Sequence, residues 1–505
     1  MTTSNNFDHV DFNKLPKPIL ADHPELVELY YFAWELAKKS LRYKGERLFV
    51  DNAFDPARNY QWVWDTCFVA LFSRYGAGMF PGINGLDNFY DQQREDGFIS
   101  MTYDLNQNRE VFPARINPPL FAWAEWEYYR TTSDDSRLER AVTHIERLMD
   151  WIDANRLTVP HYKLAAINQP GPRGHADIAT YQLYYFEDCG SSGMDDSPRT
   201  PRKIDAGKFF DWIDLSSQMA LSFDRLSRIH SVLGNAEKSN YWKDRAEKLG
   251  ALINEELWCE ATQFYHDRSI PTNFVGHKTA AGFWPILAGI CPPDRLEKLV
   301  EHLENENEFN TPTPVPTLSR DDINYSAQGR YWLGGVWAPT NYMITRGLML
   351  CDKGDLAHNI AMKYVSAISR VKENFEPSTI WESYSPEEDK PGISAYSVNW
   401  TRPNFVGWSA SGPVSMLIEN ILGVDVDMHS KQVSWTIRLT EEHGIENLFL
   451  GAKDNLTLLC ERRKSAEDTA TVRAVSTMPI SLKLIRGKTS NLINLKPGES
   501  VTVTV

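Results

Sequence analysis

Apolar residues recur at helical spacing along most of the chain, from about residue 23 to residue 422. In one group of stretches they fall on a single face, which predicts helices with one wet side. These stretches are Pro24–Tyr43, Arg137–Ile152, Leu215–Leu233, Tyr241–Leu257, Arg295–Leu303 and Leu356–Val371. In a second group almost every position is apolar, which predicts helices buried on all sides: Trp62–Phe72, Leu120–Tyr129, Trp337–Leu350 and Phe405–Leu422.

The alternation of these two kinds of helix predicts a mainly α fold. About 400 residues accommodate a dozen helices of roughly 12 residues each, with long connections. Buried helices inside an amphipathic outer set favour a toroid of six helical hairpins, an (α/α)6 architecture; a generic α-solenoid is the alternative. The inner helices of a toroid begin at one end, so the loops before them are expected to line a cavity. Long connections such as 161–202 and 311–330 usually carry function.

After Gly423 the pattern changes to short alternating runs rich in β-branched residues, with turn residues between them. The predicted strands are Gln432–Leu439, Glu446–Leu450, Leu456–Arg462, Thr469–Ser476, Ile480–Leu484 and Ser500–Val505. We therefore expect an N-terminal extension at 1–22, a helical domain at 23–425 and a C-terminal β-sandwich at 426–505. No compact polar cluster marks the last segment, so its expected role is structural.

One loop carries two adjacent carboxylates. The stretch Gly190–Arg199 reads GSSGMDDSPR, which sets Asp195 and Asp196 among small residues and closes with Pro198. Small residues let a ligand approach the backbone, and proline stiffens the turn. An acidic surface turn is the alternative, because the same residue types form ordinary turns.

A second carboxylate stands between aromatic residues further along the chain. In STIWESYSP, Glu382 lies between Trp381 and Tyr384, just before a proline-bounded loop. Taken alone it is equally a charged residue on a loop rim. Together with Asp195 it supplies the pair that acetal hydrolysis requires, an acid that protonates the leaving oxygen and a carboxylate that activates water or attacks carbon.

Composition narrows the choice of ligand. The net charge is −14 and no run of Lys and Arg stands out, so a nucleic-acid partner is not expected. The 16 Trp, 21 Tyr and 23 Phe often stand beside Asp, Glu, Asn or Gln, as in QWVWD and AWAEWEYY. Flat apolar faces next to hydrogen-bonding groups suit sugar rings. A tryptophan-rich core would give the same composition.

The chain shows no sign of export, membrane insertion or metal binding. The six cysteines are dispersed without a CxxC pair, which is typical of reduced, mostly buried thiols. The first twenty residues lack a basic region followed by an apolar one, and no apolar run approaches ~20 residues. We expect a cytoplasmic protein with no cofactor and no metal, and a homo-oligomer remains open.

The helical part resembles glycoside hydrolase family 63 and its relatives in the trehalase-like clan. Six segments carry the resemblance, in the family's order and across about residues 60–420. They are QWVWDTCF (Gln61–Phe68), QQREDGFI (Gln92–Ile99), INPPLFAW (Ile116–Trp123), SGMDDSPR (Ser192–Arg199), GRYWLGGVWAPTNY (Gly329–Tyr342) and IWESYSPE (Ile380–Glu387). Each motif alone is weak, whereas six in order are specific.

The resemblance implies an (α/α)6 toroid and an inverting hydrolase with Asp195 as general acid and Glu382 as general base. The implied distance between the two carboxyls is then roughly 6.5–9.5 Å, which leaves room for a water molecule. The implied substrate is a short α-linked glycoside, an α-glucoside or α-mannoside or a glycosyl-glycerate. The residues expected to line the sugar site are Trp62, Trp64, Asp65, Gln93, Asp96, Trp332, Trp337 and Trp381. Each of these could instead belong to the core.

The sequence departs from the family pattern at two segments, and the C-terminal β-region lies outside the match. Position 196 is Asp where the family usually has Asn, and a second negative charge there would help keep Asp195 protonated. The family's Y-W-R-G-P segment is Y-W-L-G-G here, with Leu333 and Gly335, so an arginine near the sugar is missing and the substrate preference is open.

Two other classes of function stay open from the sequence. A sugar epimerase or isomerase can use the same toroid, but it needs a base able to move a proton at carbon, commonly His, and none of the six motifs contains one. A non-catalytic glycan-binding protein is the other, although both carboxylates are present. A phosphorylase is disfavoured because no basic cluster for phosphate is visible.

Overall fold

The architecture is described from a computed structural model that covers residues 10–51, 59–77, 79–158, 183–201, 206–269, 273–451 and 453–505. Most of the long connection expected at 161–202 lies outside the described residues, as do residues 1–9 of the expected N-terminal extension.

Helices dominate the chain before residue 425. They are α1 (Pro24–Lys39), α2 (Val63–Ser73), α3 (Asn84–Tyr90), α4 (Phe121–Thr132), α5 (Asp135–Asn155), α6 (Ile213–Val232), α7 (Ala236–Glu256), α8 (Trp284–Ala288), α9 (Pro293–Glu304), α10 (Ala338–Leu350) and α11 (Gly354–Asn374), followed by a π-helix (Gly412–Ile421). Short 3-10 turns add Phe12–Lys14, Arg74–Gly76, Ala206–Phe209, Ala280–Phe283 and Ser409–Ser411. Every stretch predicted to be helical overlaps one of these helices.

The helices divide into the two kinds that the sequence predicts. All residues of α2 and of the π-helix are buried. In α9, by contrast, only Leu296, Leu299 and Leu303 are buried, at the spacing of a single apolar face. An all-apolar helix has no side to present to water, so it has to be surrounded by other elements.

The buried helices contact one another in succession. Helix α2 contacts α4, α4 contacts α6, α6 contacts α8, and α8 contacts α10. Helix α10 contacts the π-helix and the 3-10 turn before it, and both of these contact α2. The amphipathic helices pack against this series, with α5 on α4, α7 on α6, α11 on α10 and α1 on the π-helix.

Nineteen strands lie in the described residues. Those before residue 275 are β1 (Lys17–Leu20), β2 (Leu41–Lys44), β3 (Arg47–Val50), β4 (Tyr60–Trp62), β5 (Thr102–Asp104), β6 (Arg109–Glu110), β7 (Phe210–Asp211), β8 (Trp258–Cys259), β9 (Phe264–Tyr265), β10 (Arg268–Ser269) and β11 (Asn273–Phe274). Those in the C-terminal region are β12 (Val424–Asp427), β13 (Gln432–Thr436), β14 (His443–Leu450), β15 (Asp454–Cys460), β16 (Thr471–Ser476), β17 (Ile480–Arg486), β18 (Thr489–Leu495) and β19 (Ser500–Thr504).

The C-terminal strands form two sheets that share the core of the helices. One has the order β1-β14-β15-β16-β19 and the other β12-β13-β17-β18, in which β13 and β17 run parallel. Strand β1 pairs antiparallel with β14, so the segment before α1 is an edge strand of a C-terminal sheet. A continuous hydrophobic cluster extends from the helices into both sheets, through residues such as Leu422, Val424 and Trp435.

Candidate active site

A cavity of about 440 Å³ opens where the buried helices begin. Its walls come from the segments that precede α2, α4, α6, α10 and the π-helix, as the sequence predicts. The lining residues are Trp62, Trp64, Asp65, Met101, Asn117, Gly190, Gly193, Asp195, Tyr331, Trp332, Glu382, Ser394, Tyr396, Trp400, Thr401, Arg402 and Trp408. Asp195 and Glu382, far apart in sequence, therefore face one space.

The loop that carries Asp195 is fixed from two sides. Arg199 is fully buried and donates hydrogen bonds to Ser192 Oγ (3.0 Å) and to Asp214 Oδ2 (2.7 Å) in the first turn of α6. Gly193 has a φ of +82°, and a Cβ there would lie 3.3 Å from the Trp64 ring. The loop thus lies directly on Trp64, so both are held as one wall of the cavity.

The carboxyl of Asp195 binds its proton more tightly than an ordinary aspartate does. Its Oδ2 accepts a hydrogen bond from the Tyr396 hydroxyl at 2.6 Å. Burial raises the pKa of Asp195 to about 7; the Tyr396 hydrogen bond lowers it, and the negative charges of Glu382 and Asp196 raise it again. The carboxyl therefore exchanges its proton near neutral pH.

The neighbouring Asp196 points to a different partner. Its Oδ1 accepts a hydrogen bond from the backbone N–H of Trp332 at 2.8 Å, and the side chain is buried. The bond ties the Asp195 loop to the Tyr331–Trp332 segment. The two adjacent aspartates thus have separate environments, one facing the cavity and one supporting its wall.

Glu382 is almost fully buried, with 3% of its surface exposed. Arg402 donates to Glu382 Oε1 at 2.5 Å through its guanidinium and to Oε2 at 3.2 Å through its backbone N–H. Burial acts to lower the pKa of Arg402, but the charge of Glu382 and the hydrogen bond between them outweigh it and leave that pKa raised. The pair is therefore an ion pair, which fixes the Glu382 carboxylate in orientation.

Trp332 lies in the cavity wall and is almost fully buried. Its ring stacks on Trp337 with centroids 4.2 Å apart and planes at 6°, and the indole N–H of Trp337 donates to the Tyr331 carbonyl at 2.9 Å. Trp337 does not line the cavity. It lies behind Trp332 and supports it.

Several buried polar atoms in the cavity wall have no hydrogen-bond partner within the described residues. They are Trp64 Nε1, Asn117 Oδ1 and Arg402 Nη1. Each of these atoms has almost no exposed surface, so they lie behind the surface of the cavity.

A second cavity of about 400 Å³ adjoins the first, with Trp62, Met101, Gly190, Asp195 and Tyr396 in the walls of both. Its other walls include Phe112, Asp196 and Arg115. The guanidinium of Arg115 pairs with Asp188 at 2.8 Å. Asp195 thus lies at the junction of two spaces, as a residue acting on a bond between two groups would.

Four of the eight predicted lining residues are in the first cavity wall: Trp62, Trp64, Asp65 and Trp332. The structure does not bring the other four to either cavity. Gln93 donates to the carbonyls of Gly97 and His144, and Asp96 is exposed and accepts from Trp151. Trp337 supports Trp332, and Trp381 is buried against Phe375.

The sequence reasoning missed Tyr396 and Arg402, the partners of the two carboxylates. Both belong to a segment, SAYSVNWTRP, that contains no charged pair and matches none of the six motifs. The available signal was the concentration of aromatic residues there, Tyr396 and Trp400, next to an arginine that precedes a proline.

Two features are absent from the part of the chain that the structure describes. Within those ranges, no three His, Cys, Asp or Glu side chains are grouped so as to hold a metal ion. Among the helices in the same ranges, none has the length and apolarity needed to span a bilayer.

A carboxylate pair in an aromatic-walled cavity, on a mainly helical chain, is an arrangement expected of a glycoside hydrolase. The family comparison supports this and is more specific. Residues 58–401 match the family described as the mannosylglycerate hydrolase MGH1-like glycoside hydrolase domain, and the chain belongs to that family. It is a glycoside hydrolase, as the resemblance to family 63 implies.

Individual relatives agree with this family. The chain is 28% identical over 408 residues to a Borreliella burgdorferi protein of unassigned function, covering 79% of each chain. It is 28% identical over 231 residues to the probable mannosyl-oligosaccharide glucosidase of Schizosaccharomyces pombe, which is 43% of this chain and 28% of that one. The fold resembles the crystal structure of the family 63 mannosylglycerate hydrolase from Thermus thermophilus in complex with glucose, with a TM-score of 0.60, 19% identity, and coverage of 77% of this chain and 99% of that one.

Proposed function

We propose that the protein is an inverting exo-glycosidase that hydrolyses a short α-linked glycoside, with Asp195 as general acid and Glu382 as general base. The observation that carries the proposal is the shared cavity: Asp195 and Glu382 both face it, and each has its own charge environment. The pKa of Asp195 is raised to about 7 by burial, whereas Glu382 forms an ion pair with Arg402. A carboxyl that exchanges its proton near neutral pH, together with a carboxyl paired with an arginine, suits acid–base hydrolysis of an acetal.

In the proposed reaction the proton of Asp195 moves to the glycosidic oxygen as the bond from that oxygen to the anomeric carbon breaks. A water molecule attacks the anomeric carbon from the opposite face and gives its proton to Glu382. Both carboxyls then exchange protons with solvent and return to their starting states. The configuration at the anomeric carbon is inverted in a single displacement.

The first cavity is proposed to bind the sugar at the non-reducing end. Trp62 provides an apolar face for a pyranose ring, and Asp65 provides acceptor oxygens for hydroxyl groups. A sugar ring has apolar faces and a rim of hydroxyl groups, so it fits this combination of apolar and polar side chains better than a wholly apolar ligand does.

The second cavity is proposed to hold the leaving group, because Asp195 lies between the two spaces. Its volume of about 400 Å³ suits a small group such as another sugar or a glycerate. The named relatives include a mannosylglycerate hydrolase and a probable mannosyl-oligosaccharide glucosidase, so α-mannosides and α-glucosides are the classes to examine first.

The scaffold is proposed to be an (α/α)6 toroid at residues 23–425 with a C-terminal β-sandwich at 426–505, and with 1–22 as an N-terminal extension. The series of contacts from α2 through α4, α6, α8 and α10 to the π-helix and back to α2 supports a closed inner ring. Two sheets with one shared core support the sandwich.

An epimerase has less support than a hydrolase. No histidine is present in the described walls of either cavity, so the base expected for proton transfer at carbon is not found there.

The experiment is a panel of α-linked disaccharides, mannosylglycerate and glucosylglycerate, assayed with the wild type and with Asp195→Asn and Glu382→Gln. Each variant is expected to lower kcat by about 10²–10⁴-fold on every hydrolysed substrate. Asp294→Asn and Glu301→Gln, exposed on α9, are the matched controls and should keep full activity. Wild-type kcat in either cavity variant would refute the proposed roles.

A further inference from the structure

A short hairpin projects over the junction of the two cavities. Thr401 N–H donates to the Gly392 carbonyl at 2.8 Å, and Ser394 N–H donates to Asn399 O at 2.9 Å. The tip is exposed, with 74% of the Tyr396 surface and 96% of the Val398 surface open to solvent. Tyr396 nevertheless reaches into the site and donates to Asp195 Oδ2 at 2.6 Å.

Burial of the Tyr396 ring does not account for the contact between Tyr396 and Asp195. Its ring buries little surface, and its ring neighbour is Tyr331, edge-on with centroids 5.6 Å apart. An exposed aromatic side chain gains little stability from burial. The specific feature of Tyr396 is therefore its hydroxyl group, which touches one side-chain oxygen of the carboxyl at the cavity junction.

We propose that Tyr396 is a positioning residue for the general acid. Its hydroxyl donates a hydrogen bond to Oδ2 of Asp195, so the proton that moves to the glycosidic oxygen is carried by Oδ1. It then stabilises the carboxylate that remains when the proton has moved. The inference rests on the acid role proposed above for Asp195.

The hydrogen bond changes strength during the reaction. Before proton transfer, Tyr396 donates to a neutral carboxyl group; after it, the same hydroxyl donates to a carboxylate, and charge-assisted hydrogen bonds are roughly twice as strong as neutral ones. An interaction that is stronger in the transition state than in the ground state accelerates the reaction. No atom of Tyr396 forms or breaks a covalent bond, and its proton stays on its own oxygen.

The charges around the pair explain why a donor is useful at this position. Asp195 faces the carboxylates of Glu382, Asp196 and Asp188, all of which oppose the negative charge it acquires on giving up its proton. Tyr396 faces the same Glu382 and Asp196. The desolvation of its hydroxyl and these negative charges raise the pKa of Tyr396, so it stays a donor across the working pH range.

The test compares Tyr396→Phe with the wild type on two substrates that differ in their need for acid. One is the α-glycoside that the panel above identifies, whose leaving oxygen must be protonated. The other is the corresponding α-glycosyl fluoride, α-D-glucosyl or α-D-mannosyl fluoride, whose leaving group needs little protonation. We expect kcat to fall by about 10-fold on the glycoside and by less than about twofold on the fluoride.

The pH profile gives a second readout that a purely structural role would not move. Removing the hydroxyl removes a bond that favours the charged form of Asp195, so the pKa of Asp195 rises and the basic limb of kcat/KM moves up by about one pH unit. Val398→Ala, at the same hairpin tip, is the control and should leave both readouts unchanged.

Two results would overturn the inference about Tyr396 alone: an unchanged rate and basic limb in Tyr396→Phe, or an equal loss on both substrates with the limb unmoved. The variant Asp195→Asn distinguishes a failure of the Tyr396 inference from a failure of the proposed function. It should lose activity on the glycoside and keep it on the fluoride. Wild-type activity of Asp195→Asn on the glycoside would refute the acid role and the inference together.

Discussion

The adjacent residues Asp195 and Asp196 of one loop have different surroundings. Asp195 lies in the walls of both cavities, whereas Asp196 lies in the wall of the second cavity and accepts a hydrogen bond from the backbone N–H of Trp332. Residues one apart point in different directions, and only Asp195 lines the first cavity, where Glu382 also lies. The charge of Asp196 still acts on its neighbour, because it raises the pKa of Asp195.

Asp196→Asn tests this electrostatic coupling. Asparagine keeps an acceptor oxygen for the Trp332 N–H but removes the negative charge, so the pKa of Asp195 should fall from about 7. The basic limb of kcat/KM should then move to lower pH, by ~0.5–1 unit. A basic limb that stays in place in this variant would show that the charge of Asp196 does not act on the pKa of Asp195.

Single residues were predictable where a motif carried them. Asp195, Glu382, Trp64 and Asp65 could be named because each stands in a segment with a specific pattern. Tyr396 could not, since it reaches the site from an exposed hairpin tip with no pattern of its own. Gln93, Asp96, Trp337 and Trp381 stand in motifs too, and the structure places them at hydrogen bonds and stacking contacts behind or outside the cavity walls.

At the scale of elements, the Asp195 loop depends on its contact with the first turn of α2. Gly193 combines a φ of +82° with direct contact to the Trp64 ring, where a Cβ would lie 3.3 Å away. Any other residue would strain the backbone and push the loop from the ring. Since Trp64 also lines the cavity, that displacement would change the position of Asp195 in the cavity wall.

Gly193→Ala is therefore expected to lower the free energy of unfolding by about 1–2 kcal/mol and kcat/KM by roughly 10-fold or more. Gly234→Ala is the matched control, because Gly234 has a similar φ of +73° but open space around its Cα. The control should show the backbone penalty without the loss of activity. Urea denaturation and steady-state kinetics measure the two effects, and equal kcat/KM values for the two variants would contradict this account.

The elements themselves were largely predictable from periodicity. Helices α5 and α7 are long and amphipathic, and their predicted and observed ranges agree to within a few residues. Helices α3 and α8 were missed because 7 and 5 residues are too few to show a period. The strand β1 was missed because nothing in Lys17–Leu20 indicates that its partner β14 lies more than 400 residues away.

At the scale of the whole molecule, a buried charge network joins the helices to the first C-terminal strand. Glu127 of α4 contacts Arg346 of α10 at 3.2 Å and Arg130 at 3.2 Å. Both arginines also pair with Asp425 of β12, at 2.7 and 2.8 Å. Burial alone would raise the pKa of Glu127, but the surrounding arginines outweigh it and lower that pKa to about 2.

This network should make the fold sensitive to acid. The native state keeps Glu127 ionised down to about pH 2, whereas the unfolded chain binds the proton from about pH 4.5. The lowered pKa therefore contributes stability above pH 4.5 that is lost as the pH falls toward 2. Glu127→Gln should be less stable at pH 7 by about 3–5 kcal/mol, because it leaves buried arginines without their partner.

Urea denaturation of wild type and Glu127→Gln between pH 7 and pH 2 measures both effects. The difference in unfolding free energy should be largest at pH 7 and shrink as the pH falls below 4.5. Glu139→Gln, exposed on α5, is the control and should match the wild type throughout. A constant difference across the whole pH range would show that packing, and not ionisation, accounts for the effect.

The most direct measurement for the Asp195–Glu382 pair is the anomeric configuration of the sugar at the moment of its release. Proton NMR of an α-glycoside hydrolysed by the wild-type enzyme, recorded before mutarotation, should show the β-anomer first. First appearance of the α-anomer would mean a double displacement, and would contradict a water molecule activated by Glu382.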